Sequence, residues 1–264
     1  MRDSEADALR GVDGTDRRSS YVTAFGRGLS VLRCFSAGRP TLTIAEVARA
    51  AGLNRATARR FLHTLHRDGY LSCHDGRYTL RPAAMELGHA YLSTAVIDDV
   101  FQGHLQSLAE QVNKSCSAGA LDGHDTVFLA RAKPSGTRMM TLTLMVGARV
   151  PAYLTALGRV LLADLTDAEL ADYLDTATLR PETEHTIIDP NRLREELSAI
   201  REQGFAILNQ EIESGVCAVA VPIHRRTRPP LAVSVATHVA QTPIEALREY
   251  LPALRHRAAE IAAR

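Results

Sequence analysis

Apolar residues recur at helical spacing in three short segments before residue 69, and little chain separates these segments. The first segment, Tyr21–Phe35, has an apolar stripe at Phe25, Leu29 and Leu32. We expect this stripe to pack on the two helices that follow. Residues 36–42 contain a glycine and a proline, so the sequence predicts a loop there.

The second and third helices begin at residues that favour a helix start. Thr43 and Glu46 have the spacing of a capping box, and Gly52 is placed to end the second helix. Asn54 is a good N-cap for the third helix, residues 55–68. The apolar face of the third helix consists of Ala58, Phe61, Leu62 and Leu65. This pattern predicts two short helices joined by a tight turn.

A β-hairpin is predicted after the third helix. Asp75 and Gly76 separate two strand-like runs, Tyr70–Cys73 and Tyr78–Leu80, and an Asp-Gly pair in that setting is a strong hairpin signal. Arg77 lies beside the turn. The succession of helix, turn, helix and hairpin predicts a winged helix-turn-helix, in which the helix after the turn enters the DNA major groove.

Charge favours DNA binding over the simpler interpretation, an ordinary helical hairpin with a solvated basic face. From residue 20 to residue 80 there are nine Arg and three acidic residues, a net charge of +6. Such an excess is what phosphate neutralisation requires. The residues expected to contact DNA lie on the outer face of the third helix, at the start of the second helix or on the hairpin: Thr43, Arg55, Ala56, Thr57, Arg59, Arg60, His63 and Arg77.

After residue 81 helical patterns mix with strand-like runs, which predicts an α+β fold with helices around an antiparallel or mixed sheet. The predicted helices are residues 82–94, Ile97–Val112, Thr155–Ala163, Thr166–Leu174, Asp189–Gln203 and a terminal helix capped by Thr242. The predicted strands are Cys116–Leu121, Thr126–Arg131, Met140–Val146, Phe205–Glu211, Ala218–Ile223 and Leu231–Thr237. We therefore divide the chain into a mobile tail (1–20), a DNA-binding domain (21–81), a linker helix (82–96) and a second domain (97–264).

The predicted linker helix has apolar positions, Leu87, Tyr91 and Ala95, that find few neighbours inside a small winged domain. The helix either packs on its own domain or contacts a second copy of the chain. We favour contact between two copies, because DNA-binding proteins of this size usually need two half-sites.

The overall charge of +1 conceals a difference between the two parts of the chain. Residues 1–80 carry 13 Arg and 8 acidic residues, a net charge of +5, and residues 81–264 carry 18 basic and 22 acidic residues, a net charge of −4. A basic first part on a mildly acidic remainder is expected when one of two domains meets DNA. Four widely spaced cysteines and the lack of a signal peptide predict the cytoplasm, and no apolar run approaches the roughly 20 residues that span a membrane.

Four sequence motifs resemble the IclR family of transcriptional regulators, most closely its branch that controls aromatic-acid catabolism. The motifs are, in chain order, YVTAFGRGLSVLRCF, TIAEVARAAGLNRATARRFLHTL, VGARVPAYLTALGRVLLA and ESGVCAVAVPI. The resemblance implies a GAF-like α/β effector-binding domain at the C-terminus and a homodimer or tetramer. It also implies binding to double-stranded operator DNA, modulated by a small aromatic or dicarboxylic acid. RNA polymerase is a further candidate partner.

The predicted helix at Thr155 is where a carboxylate would bind. Thr155 is a fair N-cap, so the amides of Ala156, Leu157 and Gly158 would point out of a helix start, which attracts anions. The resemblance implies the same segment and adds three positions on the last strands: Asn209, Ala218 and Ser234.

Position 218 departs from the family pattern. Many members have Cys or Ser where this chain has Ala218, and Arg where it has Cys217. The departure favours a more apolar pocket, which suits an aromatic ligand. For each residue named in this pocket, plain core packing is the alternative interpretation.

Other chemistry has weak support in the sequence. Cys116 and His124 lack a third orienting group, so a nucleophile is not expected. His63, His66, His74 and Cys73 lack the paired spacing of a zinc site. We therefore predict no catalytic residue, no metal and no cofactor. The sequence favours a ligand-responsive transcription factor over two alternatives, a DNA-tethered enzyme acting on small carboxylates and a metal-responsive repressor.

Overall fold

The structure is a computed structural model that describes residues 21–36, 38–94, 97–136, 145–224 and 230–263. The chain divides into two compact units between Ala90 and Tyr91. The predicted mobile tail, residues 1–20, lies outside the described residues. Among the described residues, no helix has the length and apolar character needed to cross a membrane.

The first unit consists of short helices and a three-stranded antiparallel sheet. Its elements are α1 (Thr23–Leu32), β1 (Thr41–Thr43), α2 (Ile44–Ala50), α3 (Arg55–Arg67), β2 (Leu71–His74), β3 (Arg77–Leu80) and the beginning of α4 (Ala84–Thr94). The strand order is β1-β3-β2. The prediction of a loop over residues 36–42 is wrong at its end, because Leu42 pairs with Tyr78 as part of β1. A three-residue strand has no readable period, and the hairpin supplies the edge that orders it.

The core of the first unit is formed by Val31, Val47, Ala58, Leu62 and Leu71. The predicted packing of the α1 stripe is wrong for Phe25, which is 69% exposed. The side of α1 that contacts α3 instead carries Gly28 and Val31. Gly28 has no side chain, and the ring of Phe61 lies against it.

The second unit is built on a six-stranded antiparallel sheet. Its remaining elements are α5 (Asp99–Val112), β4 (Ser115–Asp122), β5 (Asp125–Ala132), β6 (Arg149–Pro151), α6 (Ala156–Ala163), α7 (Asp167–Thr176), α8 (Pro190–Gln203), β7 (Ala206–Asn209), β8 (Val216–Ile223), β9 (Leu231–His238) and α9 (Leu251–Ala262). The strand order is β6-β5-β4-β9-β8-β7. Helices α5 and α9 pack on one face of the sheet, and α6 lies on the other face with α7 and α8 beyond it. The predicted α+β class is confirmed.

Two predicted elements of the second unit differ from the structure in the residues that it describes. Residues 140–144 of the predicted strand Met140–Val146 lie outside the described residues, and Met145 and Val146 are not in a strand. The edge strand is β6, which pairs with β5. The terminal helix is interrupted, because residues 244–250 form a 3₁₀ helix before α9 begins. Thr242 does not cap it and instead shares a 3.2 Å hydrogen bond with the hydroxyl of Thr237.

Candidate DNA-binding surface and effector cavity

The two helices of the predicted helix-turn-helix start with the expected caps. Thr43 accepts a hydrogen bond from the amide of Glu46, and the Glu46 carboxylate accepts one from the amide of Thr43 at 2.7 Å. The side chain of Asn54 accepts from the amide of Thr57 at 2.8 Å and caps α3. These local bonds fix where each helix begins and therefore which side chains its outer face carries.

The outer face of α3 is basic and open to solvent. Arg55, Ala56, Arg59, Arg60 and His63 are exposed, whereas Ala58 and Leu62 point into the core. Four predicted DNA contacts line one surface groove together with the wing turn: Thr43, Arg55, Ala56 and Arg59. Thr57 differs from its exposed neighbours, since it is half-buried. The groove does not include Arg60, His63 or Arg77.

The wing is a tight hairpin between β2 and β3. Asp75 and Gly76 both have positive φ, 48° and 72°, which matches a two-residue turn of the kind that Asp-Gly favours. The guanidinium of Arg77 donates to the carbonyl oxygen of Thr41 at 3.3 Å. Arg77 therefore ties the wing to β1, and its exposed side chain keeps further donors for a phosphate.

The structure does not support the metal interpretation of this unit. The Nδ1 atom of His66 lies 2.9 Å from the carbonyl oxygen of Leu71, so this ring is engaged with the backbone. Among the described residues, no group of three His, Cys, Asp or Glu side chains is placed to hold a metal ion.

A cavity in the second unit lies between the sheet and the start of α6. Small side chains line the sheet face in two rows across neighbouring strands: Ser117 and Ser234 in one row, and Ser115, Ala236 and Ala218 in the other. The cavity measures about 70 Å³, and the empty space including its open mouth about 670 Å³. Larger side chains at these positions would fill the space, so the cavity follows directly from the choice of Ser and Ala.

A β-bulge brings two chemically different side chains into this cavity. The pairing of β4 with β5 shifts between Ala118 and Gly119, so the strict alternation of β5 is broken. Phe128 and Arg131 are three positions apart, so in a regular strand they would point to opposite faces of the sheet. Because of the bulge, both line the cavity.

The start of α6 differs from the prediction at one position. Thr155 accepts a 2.8 Å hydrogen bond from the amide of Gly158, so that amide is occupied by the cap. A Cβ on Gly158 would lie 2.1 Å from the carbonyl oxygen of Ala152, which shows that its open side faces the protein interior. Gly158 therefore allows close backbone packing and does not open the cavity. The amides of Ala156 and Leu157 are the first-turn donors at the cavity.

Two charged side chains line the otherwise largely apolar cavity. The Arg131 side chain donates from Nε to the hydroxyl of Ser117 at 3.3 Å, and burial lowers the pKa of its guanidinium. The Glu211 carboxylate accepts from the amide of Ile187 at 3.1 Å and forms an ion pair with Arg159. Arg159 is 1% exposed and also donates to the carbonyl oxygen of Tyr153 at 2.9 Å.

Cys116 and His124 do not form a catalytic pair. Cys116 lies in the hydrophobic cluster on the α5 and α9 side of the sheet, and burial raises the pKa of its thiol to about 12. His124 shares a 2.8 Å hydrogen bond with the hydroxyl of Thr176. A thiol of such high pKa is a poor nucleophile.

Comparison with known proteins gives the family of the chain. The family described as "IclR helix-turn-helix domain" matches residues 24–73, and the one described as "Bacterial transcriptional regulator IclR C-terminal" matches residues 89–263. The chain belongs to the IclR family. It is 36% identical over 236 residues to the Pca regulon regulatory protein of Pseudomonas putida, covering 89% of this chain and 81% of that protein.

Solved structures of IclR-family regulators have the same fold. An IclR family transcriptional regulator from Brucella abortus aligns with a TM-score of 0.78 at 28% identity, covering 96% of both chains. A double mutant of the inducer-binding domain of the PobR transcription factor from Acinetobacter, solved as a complex with 3-hydroxybenzoic acid, aligns with a TM-score of 0.58 at 29% identity. That alignment covers 62% of this chain and 95% of the PobR domain. This chain is a DNA-binding transcriptional regulator of the IclR family, and its relatives are regulators, not enzymes.

The structure places the predicted effector residues of this IclR-family protein unevenly. Five of them line the cavity: Thr155, Ala156, Leu157, Ala218 and Ser234. Asn209 does not line it, because it is an exposed residue at the end of β7 whose side chain accepts from Gln210. Sequence reasoning missed the charged residues Arg131 and Glu211. The signal for Arg131 was an arginine inside an otherwise apolar strand, whereas Glu211 has no signal in its immediate sequence.

Proposed function

We propose that α3 and the wing read an operator while the cavity of the second unit binds a small aromatic carboxylate that changes operator affinity. In this assignment residues 21–81 form the DNA-binding domain, residues 82–96 the linker and residues 97–264 the effector-binding domain. In this assignment the protein acts on DNA in the cytoplasm. The observation that carries the effector assignment is a guanidinium at the wall of a largely apolar cavity in a protein of a regulator family.

The carboxylate of the effector is proposed to bind at Arg131. The guanidinium presents several N–H donors in a planar fork, a geometry that matches the two oxygens of a carboxylate. The first amides of α6, at Ala156 and Leu157, add a second source of positive potential. Because burial already penalises the charge of Arg131, an anionic ligand would lower the cost of keeping that charge there.

The aromatic ring of the effector is proposed to pack against the apolar walls of the cavity. These walls are formed by Phe128, Leu154, Leu157, Leu208 and Ile212. The complex of the related PobR domain with 3-hydroxybenzoic acid supports a ligand of this size and class.

A homodimer is the proposed form on DNA. Two recognition helices are needed to read two half-sites of a palindromic operator. The first unit exposes large apolar side chains on α1 and at the beginning of α4, including Phe25, Met85 and Leu87. Burying them against a second copy would remove apolar surface from water.

The effector assignment is tested by calorimetric titration of the full chain with 3-hydroxybenzoate. Arg131→Gln should weaken binding at least about tenfold, because a charge-assisted hydrogen bond is lost. The matched control is Arg149→Gln, since Arg149 pairs with Asp122 and Asp125 at the surface and does not line the cavity. Equal losses in both variants, or no binding to the wild-type chain, would overturn the assignment. Recovery of the ligand unchanged after long incubation distinguishes a sensor from an enzyme.

A further inference from the structure

Glu211 is a buried carboxylate with one oxygen in use and one available. The residue is 6% exposed and lines the cavity. The amide of Ile187 and the guanidinium of Arg159 both donate to the Oε2 atom. Within the described part of the chain, no hydrogen bond reaches Oε1, and this atom is not fully buried. Glu211 therefore lines the cavity and keeps one carboxylate oxygen that accepts no hydrogen bond from the described residues.

Glu211 and Arg131 stand on opposite sides of the cavity floor. Arg131 is in β5, and Glu211 follows β7 by two residues. Three strands, β4, β9 and β8, lie between β5 and β7 in the sheet. The cavity thus has a cationic side and an anionic side, and the small residues Ser117, Ser234 and Ala218 lie between them.

The Glu211 carboxylate is fixed in place and accepts hydrogen bonds without donating any. Arg159 and the amide of Ile187 hold Oε2, and the hydroxyl of Thr186 donates to the Glu211 carbonyl oxygen at 2.7 Å. An ionised carboxylate can pair with a hydroxyl group, which donates, but not with a second carboxylate, which only accepts. A like charge placed beside it is repelled as well.

We propose that Glu211 determines effector specificity by accepting a hydrogen bond from a hydroxyl group on the ligand whose carboxylate binds Arg131. The effector is then a hydroxylated aromatic monocarboxylic acid and not a dicarboxylic acid. This inference rests on the proposed function, because it requires that the cavity bind an aromatic carboxylate.

The test is calorimetric titration of the full chain with benzoate, 3-hydroxybenzoate, 4-hydroxybenzoate, their methoxy ethers and the corresponding benzene dicarboxylates. At least one hydroxybenzoate should bind about tenfold or more tightly than benzoate, its own ether and the matching dicarboxylate, since an unmade bond to a charged acceptor is costly. Equal affinity for the hydroxy acid and its ether overturns this inference while leaving the proposed function in place. Failure of every probe to bind overturns both.

The variant Glu211→Gln replaces the acceptor while keeping the shape of the side chain. The amide can still accept from Arg159 and Ile187 through its oxygen and then presents its NH₂ group to the cavity. We expect the preference for the hydroxy acid over the matching dicarboxylate to fall at least about tenfold.

The matched control is Glu196→Gln. Glu196 also approaches Arg159, at 3.9 Å, but it does not line the cavity. The Glu196→Gln variant should keep the wild-type preference for the hydroxy acid over the matching dicarboxylate. An equal change in both variants would show that the effect acts through Arg159 and would overturn the proposal. Thermal unfolding of each variant establishes that it is folded. If Glu211→Gln is not folded, the wild-type probe series decides alone.

Discussion

Replacement of Arg159 by Met should strongly destabilise the second unit. Arg159 is 1% exposed and forms an ion pair with Glu211, which is itself buried. The substitution leaves this carboxylate with the amide of Ile187 as its remaining donor. Leaving one partner of a buried ion pair uncompensated typically costs about 3–5 kcal/mol. The carbonyl oxygen of Tyr153 also loses its guanidinium donor, which adds roughly 1 kcal/mol.

The assay is reversible urea or thermal unfolding of the purified chain, followed by circular dichroism. In a unit of this size each kcal/mol lowers Tm by about 2–4 °C, so the combined loss of about 4–6 kcal/mol should lower Tm by about 8–24 °C. The control is Arg194→Met on α8, because Arg194 is exposed. This control should change the free energy of unfolding by no more than about 0.5 kcal/mol.

A double variant identifies the cause of the loss. Arg159→Met combined with Glu211→Leu removes both charges, so most of the stability should return, with about 1 kcal/mol still missing at the Tyr153 carbonyl. The reasoning is refuted if Arg159→Met unfolds within 1 kcal/mol of wild type. It is also refuted if the double variant is no more stable than Arg159→Met, since the buried carboxylate would then not be responsible.

Three further outcomes follow from the geometry. Arg60→Ala should cost about 1–3 kcal/mol in operator binding and relax the preference at one base position in a selection from randomised duplexes, whereas a uniform loss would reassign Arg60 to a phosphate. Hydrogen bonds from Thr43 lower the pKa of Glu46 from its unfolded value near 4.5. The ionised carboxylate should therefore stabilise the fold above about pH 4.5, and this contribution should disappear as the pH falls through the folded pKa. Denaturation curves of Glu46→Gln should lack this pH-dependent contribution. In the native protein a thiol reagent at pH 8 should modify exposed Cys73 rapidly and buried Cys116 hardly at all, and Cys73→Ser should abolish the fast phase.

Local signals in the sequence determined the fold of the proposed DNA-binding domain in some detail. The caps at Thr43 and Asn54, the turn at Asp75 and the apolar face of α3 are all set by residues within four positions of one another. Because these interactions form within one turn of helix or one hairpin, the residue order alone specifies them. The excess of arginine over acidic residues is likewise a property of composition, and it predicts a polyanionic partner independently of the fold.

The tertiary structure alone decided which faces are buried and what the cavity contains. The packing of Gly28 against Phe61 turned Phe25 of α1 outward, and no pattern within α1 specifies that contact. Arg131 and Glu211 are 80 positions apart in the chain, and they share a cavity because of the strand order and the bulge in β5. Strand pairing and register join distant segments through hydrogen bonds and packing, so their outcome depends on the whole sheet and cannot be read from neighbouring residues.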